Sequence, residues 1–139
     1  PPEEAEMRAP VEQAGLSFIY LTAPTTDDQR LPTVVEHASG FVYYVSVTGI
    51  TGTKSASTQD IENALERLRR HTDLPIAVGF GIKTPEQAAA IGQHAEAVVV
   101  GSAFVNKLAE NLNPDGSAQD SCVEAVLELV RDISGGLTA

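Results

Sequence analysis

The feature that most constrains the fold is a strand, glycine turn and helix unit that occurs twice within residues 76–105. Two short apolar runs, residues 74–78 and 97–100, lead into Gly79-Phe80-Gly81 and Gly101-Ser102, and a helix-like segment follows each turn at once. In a parallel sheet both turns fall at the carboxyl edge, where bare backbone N–H groups can converge on one anion. The pattern therefore predicts a site for a phosphorylated small molecule at that edge.

The same alternation extends along the whole chain. Strands are predicted at residues 17–22, 41–47, 74–78 and 97–100. A first helix is predicted from the prolines and glutamates at the start of the chain to residue 13 or 14, and further helices at residues 27–37, 58–71 and 122–133, after Thr84 and from Ser102. One helix followed by βα units indicates an α/β fold with a parallel sheet and right-handed crossovers. No linker divides the chain, so residues 1–139 are predicted to form a single domain. A complete eight-stranded α/β barrel needs about 250 residues, which is more than this chain has.

Composition excludes several classes of partner. The formal net charge of −10 leaves no basic patch for nucleic acid or for an anionic membrane surface. No apolar run approaches the ~20 residues of a membrane span, so we expect no membrane segment. The acidic first ten residues show no secretory signal, and the lone Cys122 favours a reducing compartment, so we expect a cytoplasmic protein.

The candidate groups for chemistry each have an ordinary structural explanation as well. The glycines could bind an anion or could only make tight strand-to-helix turns. The small, hydroxylated residues 48–57 could form a lid or an ordinary flexible loop, and Lys54 within them is given no catalytic role. No metal-binding spacing, Walker loop or complete dinucleotide fingerprint occurs. Helix ends, caps and half-buried helix positions account for the remaining candidates, which are His37, His71, His94, Asp27, Asp28, Asp60 and Cys122.

Three long motifs resemble the tryptophan synthase alpha subunit. They are GFVYYVSVTGITG at residues 40–52, DLPIAVGFGIKTPEQ at residues 73–87 and VVVGSAFV at residues 98–105. The first 26 residues also resemble that family where its fourth barrel helix leads into strand five. The resemblance implies a TIM barrel, of which this chain holds the C-terminal half with about four strands. It also implies cleavage of indole-3-glycerol phosphate to indole and glyceraldehyde 3-phosphate in tryptophan biosynthesis.

The resemblance also assigns substrate-binding roles to particular residues. It places the substrate phosphate on Gly52, Gly81, Gly101 and Ser102, and the indole ring against Leu21, Tyr43 and Phe80. Thr51 would lie on the mobile loop that closes over the substrate. Val47 stands where some family members have an arginine, so this chain would lack a lid contact from that side chain.

No catalytic residue is assigned within the chain. The family's catalytic glutamate and aspartate lie in its N-terminal half, so we expect these 139 residues alone to be inactive. The resemblance implies an alpha2beta2 complex for the full-length protein, with pyridoxal phosphate in the beta subunit only and no cofactor in this chain. Self-association is also physically allowed, because a half barrel has unpaired edge strands. Two alternatives stay open: another phosphate-binding barrel enzyme, of the indoleglycerol phosphate synthase or phosphoribosylanthranilate isomerase type, and a non-catalytic phosphate-binding module.

Overall fold

Four parallel strands form one sheet, in the order β1-β2-β3-β4, in the computed structural model, which describes residues 4–46, 58–79 and 81–138. The predicted α/β class and the alternation of helices and strands are confirmed. Among the described residues no helix is long and apolar enough to cross a membrane. The elements are α1 Glu4–Gln13, β1 Tyr20–Thr22, α2 Leu31–Val35, β2 Val42–Val45, α3 Thr58–Arg69, β3 Ile76–Gly79, α4 Pro85–Gly92, β4 Ala97–Val99, α5 Ser102–Glu110 and α6 Cys122–Gly135.

The ends of α1 and α4 follow directly from their residues. Gly15 has a φ of 72° and donates its N–H to the Glu12 carbonyl at 2.9 Å, while the N–H of Leu16 reaches the Val11 carbonyl at 3.1 Å. This pair of bonds is a Schellman motif, which explains why α1 stops where the glycine predicts. At the start of α4, the Thr84 hydroxyl accepts the N–H of Gln87 at 3.3 Å, as the sequence predicts.

Two predicted boundaries are wrong. Helix α2 begins at Leu31 and not near residue 27, where Asp27 instead accepts the N–H of Arg30 in a turn. Pro32 explains the difference, because proline has no N–H to donate and is tolerated only in the first turn of a helix. Strand β1 is likewise shorter than residues 17–22. Residues 17–19 do not join the sheet. Phe18 instead donates its N–H to the hydroxyl of Ser39, a loop residue, at 2.8 Å.

Most of the core lies on one face of the sheet, although Ala77 of β3 is buried on the other face. Val42 and Tyr44 alternate with Tyr43 and Val45 along β2, and only the first pair is buried. Parallel pairing places Thr22, Tyr44, Val78 and Val98 in one cross-strand row on this buried face. Helix side chains cover it together with Ile82, which lies between β3 and α4, and complete the core, chiefly Leu31, Val35, Ile61, Leu65, Leu68, Ala88, Ile91 and Ile133.

Side-chain contacts at the amino ends of the strands fix the first and last units. The Tyr20 hydroxyl donates to the Glu4 carboxylate and so holds α1 against β1. Burial, with this hydrogen bond, raises the pKa of Tyr20 to about 12. Glu96 accepts the N–H of Ile76 at 2.8 Å and a bond from the Arg69 guanidinium at 2.7 Å, which joins α3 to the starts of β3 and β4.

Candidate functional site

Two glycines lie at equivalent places beyond the carboxyl ends of β3 and β4. The last paired residues of these strands are Gly79 and Val99, which are partners in the parallel ladder. Gly81 and Gly101 each follow two residues later, so the register brings both to the same edge of the sheet. The sequence-based prediction that the two turns share an edge is therefore confirmed.

The backbone at Gly81 and at Gly101 borders open space that a ligand could occupy. Gly81 has a φ of 67°, a conformation that side chains disfavour. A Cβ added to Gly81 or to Gly101 would meet no atom of the described residues within 4 Å. Bare backbone bordered by open space is what close approach to an oxyanion requires.

Helix α5 supplies an N-terminus to this edge. Gly101 is its N-cap residue, and no side-chain hydrogen bond caps it. Ser102 is the first helical residue and is exposed. The N–H groups in the first turn of a helix have no carbonyl one turn earlier, and together with the helix dipole they favour an anion. Gly101 and Ser102 thus present donors and a hydroxyl at one point.

Tyr43 and Leu21 lie on the face of the sheet that the core leaves uncovered. They are direct partners in the ladder between β1 and β2. Leu21 is 62% exposed and Tyr43 is half-buried. The Tyr43 ring extends along the sheet to Gly79, where an added Cβ would lie 2.5 Å from its hydroxyl oxygen. The structure therefore places an aromatic and an aliphatic side chain next to each other on the face that leads to the glycine edge.

Three predicted site residues, Thr51, Gly52 and Phe80, lie outside the described residues. The same holds for the predicted lid at residues 48–57 and for Val47. Their predicted roles stay predictions.

Ser46 is a residue that sequence reasoning did not single out. It is buried, and its N–H donates to the Gly79 carbonyl at 3.0 Å. Its hydroxyl also reaches that carbonyl at 3.5 Å. Ser46 thus ties the end of β2 to the residue at which β3 turns towards Gly81. A lone serine within the apolar run at residues 41–47 was the available signal, because a buried hydroxyl needs a partner.

The other polar clusters lie away from the glycine edge. A shallow cavity of about 260 Å³ lies at the amino ends of β3 and β4, where Arg69 and Glu96 form an ion pair at 2.7 Å. His94 lies 3.7 Å from Glu62 at the end of α4. In α/β barrels the amino-terminal face serves stability and the carboxyl-terminal face carries ligands. These clusters are therefore structural, whereas the glycine edge has the features of a ligand site.

Comparison with known proteins points to one family. The family described as tryptophan synthase alpha chain matches residues 1–135. A tryptophan synthase structure from Mycobacterium tuberculosis is 32% identical, with a TM-score of 0.82, and the match covers 100% of this chain and 49% of that one. The alpha subunit from Legionella pneumophila is 32% identical over 99% of this chain and 49% of its own, with a TM-score of 0.81. The alpha subunit from Campylobacter jejuni is 29% identical over 95% of this chain and 49% of its own, with a TM-score of 0.76.

Proposed function

Because the chain belongs to the tryptophan synthase alpha chain family, we propose that it forms the phosphate-binding side of an enzyme that cleaves indole-3-glycerol phosphate to indole and glyceraldehyde 3-phosphate. The chain spans about half the length of the solved relatives that it matches, at 46% to 49% of theirs. The cleavage is accordingly proposed for the whole alpha subunit.

One observation carries the proposal for the phosphate. Gly81 and Gly101 each lie two residues beyond a member of the paired residues Gly79 and Val99, and both face open space. A phosphate between them would accept hydrogen bonds from backbone N–H groups in the turn after β3 and in the first turn of α5. The Ser102 hydroxyl would lie beside it. Gly52 would join them from the preceding unit. With an overall charge of −10, the chain must hold an anion by such local dipoles and not by its general field.

The indole end of the substrate would lie on the uncovered face of the sheet. Leu21 and Tyr43 are neighbours there, and an apolar surface beside a ring that can stack suits an indole. Phe80 would complete this pocket, and Thr51 would close over it from the loop. The Tyr43 ring ends at Gly79, one residue before Phe80, so the pocket and the phosphate edge are continuous along the chain.

The cleavage itself needs groups that we do not assign to this chain. The family's catalytic glutamate and aspartate belong to its N-terminal half, and proton transfer by such groups contributes ~10² to 10⁴-fold. We therefore propose that these 139 residues bind substrate without cleaving it. The whole alpha subunit would pass indole to a beta subunit, which alone would carry pyridoxal phosphate. The cytoplasmic location stays a prediction.

Calorimetric titration of the chain with glycerol 3-phosphate tests the phosphate site. We expect saturable binding with a dissociation constant in the millimolar range or tighter, and none with glycerol, which lacks the phosphate. No heat of binding at millimolar glycerol 3-phosphate would overturn the assignment. A titration with an indole-propanol phosphate then tests the indole pocket, because added apolar contact should tighten binding.

A matched pair of variants separates the site from general charge effects. Gly101→Asp places a carboxylate at the N-cap of α5 and should weaken phosphate binding by about tenfold or more. Gly135→Asp adds the same charge in the last turn of α6, where φ is also outside the left-handed region and an added Cβ also meets nothing within 4 Å of the described residues. That control should bind as the unaltered chain does. Equal weakening by both variants would contradict a local site.

A further inference from the structure

The turn that follows β3 contains Gly81 and needs support from outside. Gly81 is exposed, and its φ of 67° is a conformation that other residues disfavour. Glycine restricts the backbone less than any other residue, so the turn does not hold one conformation by itself. Backbone N–H groups bind an anion more tightly when they are arranged before the anion arrives. The arrangement of this turn therefore depends on contacts at its two ends.

The end of the turn beyond Gly81 is held by two contacts. Ile82 is 1% exposed and belongs to the core. The next residue, Lys83, donates its N–H to Oε1 of Gln87 at 2.8 Å. Gln87 lies in the first turn of α4, where its own N–H donates to the Thr84 hydroxyl at 3.3 Å. The two bonds form a reciprocal cap, so the Gln87 side chain ties the backbone just beyond Gly81 to the start of α4.

The end of the turn before Gly81 is held by Ser46. Val45 and Gly79 are the last paired residues of β2 and β3, and the N–H of Ser46 donates to the Gly79 carbonyl at 3.0 Å. The buried Ser46 hydroxyl donates to the same oxygen at 3.5 Å. A carbonyl oxygen can accept two hydrogen bonds, and a peptide group is planar. Holding this carbonyl therefore sets the plane in which the chain leaves β3.

A second buried hydroxyl shows that burial alone does not produce such a contact. Thr22 is the last residue of β1 and is 2% exposed, against 3% for Ser46. The Thr22 hydroxyl has no hydrogen-bond partner among the described residues. Thr22 thus matches Ser46 in burial and in its place at the carboxyl end of a strand, but its side chain holds no backbone group.

We infer that Gln87 and Ser46 are positioning residues of the phosphate site, which hold the Gly81 turn from its two ends so that its N–H groups are arranged before the anion binds. The inference rests on the proposed function and deepens it, because it names side chains that set the affinity for phosphate through the backbone. A turn that is in the competent arrangement for only a fraction of the time binds more weakly by that fraction.

Calorimetric titration of two variants with glycerol 3-phosphate tests the inference. Gln87→Met keeps the length of the side chain but lacks the acceptor for the Lys83 N–H, and Ser46→Ala lacks the hydroxyl. Each should raise the dissociation constant by about three- to tenfold, because each loses one hydrogen bond that holds the turn. The loss should be smaller for Ser46→Ala, whose hydroxyl contact is longer. Ser46→Thr keeps a hydroxyl and should bind as the unaltered chain does.

Two matched controls separate positioning from general effects on the fold. Gln93→Met makes the same exchange at another exposed position, at the opposite end of α4. Thr22→Val removes the unpaired hydroxyl of β1. Both controls should bind as the unaltered chain does. Urea unfolding checks that every variant is folded under the conditions of the titration. Because Gln87 is exposed, Gln87→Met tests the inference even where Ser46→Ala fails to fold.

Amide NMR spectra without ligand give a readout that a general loss of stability would not produce. Gln87→Met and Ser46→Ala should both shift the amide resonance of Gly81 and leave that of Gly101, on the neighbouring turn, where it is. Equal shifts at both glycines would overturn the inference.

The titrations distinguish failure of this inference from failure of the proposed function. No binding of glycerol 3-phosphate by the unaltered chain overturns the phosphate site and the positioning role together. Binding by the unaltered chain with unchanged affinity in Gln87→Met, or in a folded Ser46→Ala, overturns the role of that residue alone. Weakening by either control as strong as that by its matched variant also overturns the positioning role.

Discussion

Gly79 and Tyr43 should be energetically coupled, because the Tyr43 ring occupies the space that a side chain at position 79 would need. A Cβ added at Gly79 would lie 2.5 Å from the Tyr43 hydroxyl oxygen, 2.9 Å from Cε2 and 3.0 Å from Cζ. The backbone of Gly79 is not in the left-handed region, so Gly79→Ala introduces a clash and no φ strain. The perturbation therefore isolates one contact between two strands.

The expected size follows from two opposing effects. Overpacking costs about 1 to 3 kcal/mol, and here the lower part of that range applies because the half-buried Tyr43 ring can swing away from the uncovered face of the sheet. Replacing glycine by alanine also reduces the entropy of the unfolded chain, which stabilises the fold by about 0.4 to 1 kcal/mol. We expect Gly79→Ala to lower the free energy of unfolding by roughly 1 kcal/mol, since the clash is the larger effect.

A double-mutant cycle with Tyr43→Leu measures the coupling by urea unfolding. Leucine lacks the two ring carbons and the hydroxyl oxygen that approach Gly79, so Gly79→Ala should become neutral or slightly stabilising in that background. The coupling should be about 1 to 2 kcal/mol. Tyr43→Phe removes only the hydroxyl and should give an intermediate value.

The reasoning is refuted if Gly79→Ala costs the same with tyrosine and with leucine at position 43. Additive effects would mean that the ring does not compete for the space at Gly79.

Two other predictions concern stability. Gly40→Ala should cost more than Gly15→Ala, because both glycines have a φ above 70° but only Gly40 has neighbours, Ser17 at 2.9 Å and Ile19 at 3.1 Å from the added Cβ. We expect about 1 to 2 kcal/mol for Gly15→Ala from backbone strain and a larger loss for Gly40→Ala in urea unfolding; equal losses would contradict the packing argument. Burial alone would raise the pKa of Glu96, but the hydrogen bonds from Ile76 and Arg69 together hold that pKa below the ordinary 4.5. The stabilisation is therefore present above pH 4.5 and is lost as pH falls through the lower folded pKa. Below pH 4.5 the free energy of unfolding should therefore fall less steeply in Glu96→Gln, by less than about 1 kcal/mol because the Glu96 side chain is half exposed. A pH profile identical to that of the unaltered chain would contradict this prediction.

Much of the fold could be predicted because its signals are local. The Gly15 stop of α1, the Thr84 cap of α4 and the strands β2, β3 and β4 each depend on residues within one or two turns of the chain. Helix α2 is the main error, because the capping pattern near residue 27 predicts an earlier start than Pro32 allows. The first part of β1 was mispredicted for a different reason. Its hydrogen-bond partner is Ser39, which lies in a loop that periodicity does not describe.

The site was predicted less completely than the fold. Residue patterns placed Gly81 and Gly101 at one edge, and the register of β3 with β4 confirms this. Ser46 was missed, because its role depends on the Gly79 carbonyl of the neighbouring strand. The sequence pattern also could not show that Leu21 is largely exposed, since a leucine in a strand is ordinarily taken as part of the core.

The sequence by itself determined the order of the elements, the two glycine turns and the family. Only the tertiary structure separated Gly79 from Gly81, which the sequence presents as one turn. Gly79 leaves room for the Tyr43 ring, whereas Gly81 has a positive φ beside open space. Local patterns fix backbone conformation because they act between near neighbours in the chain. The space around a Cα atom is set by side chains from other strands, so only the folded chain decides which glycine can face a ligand.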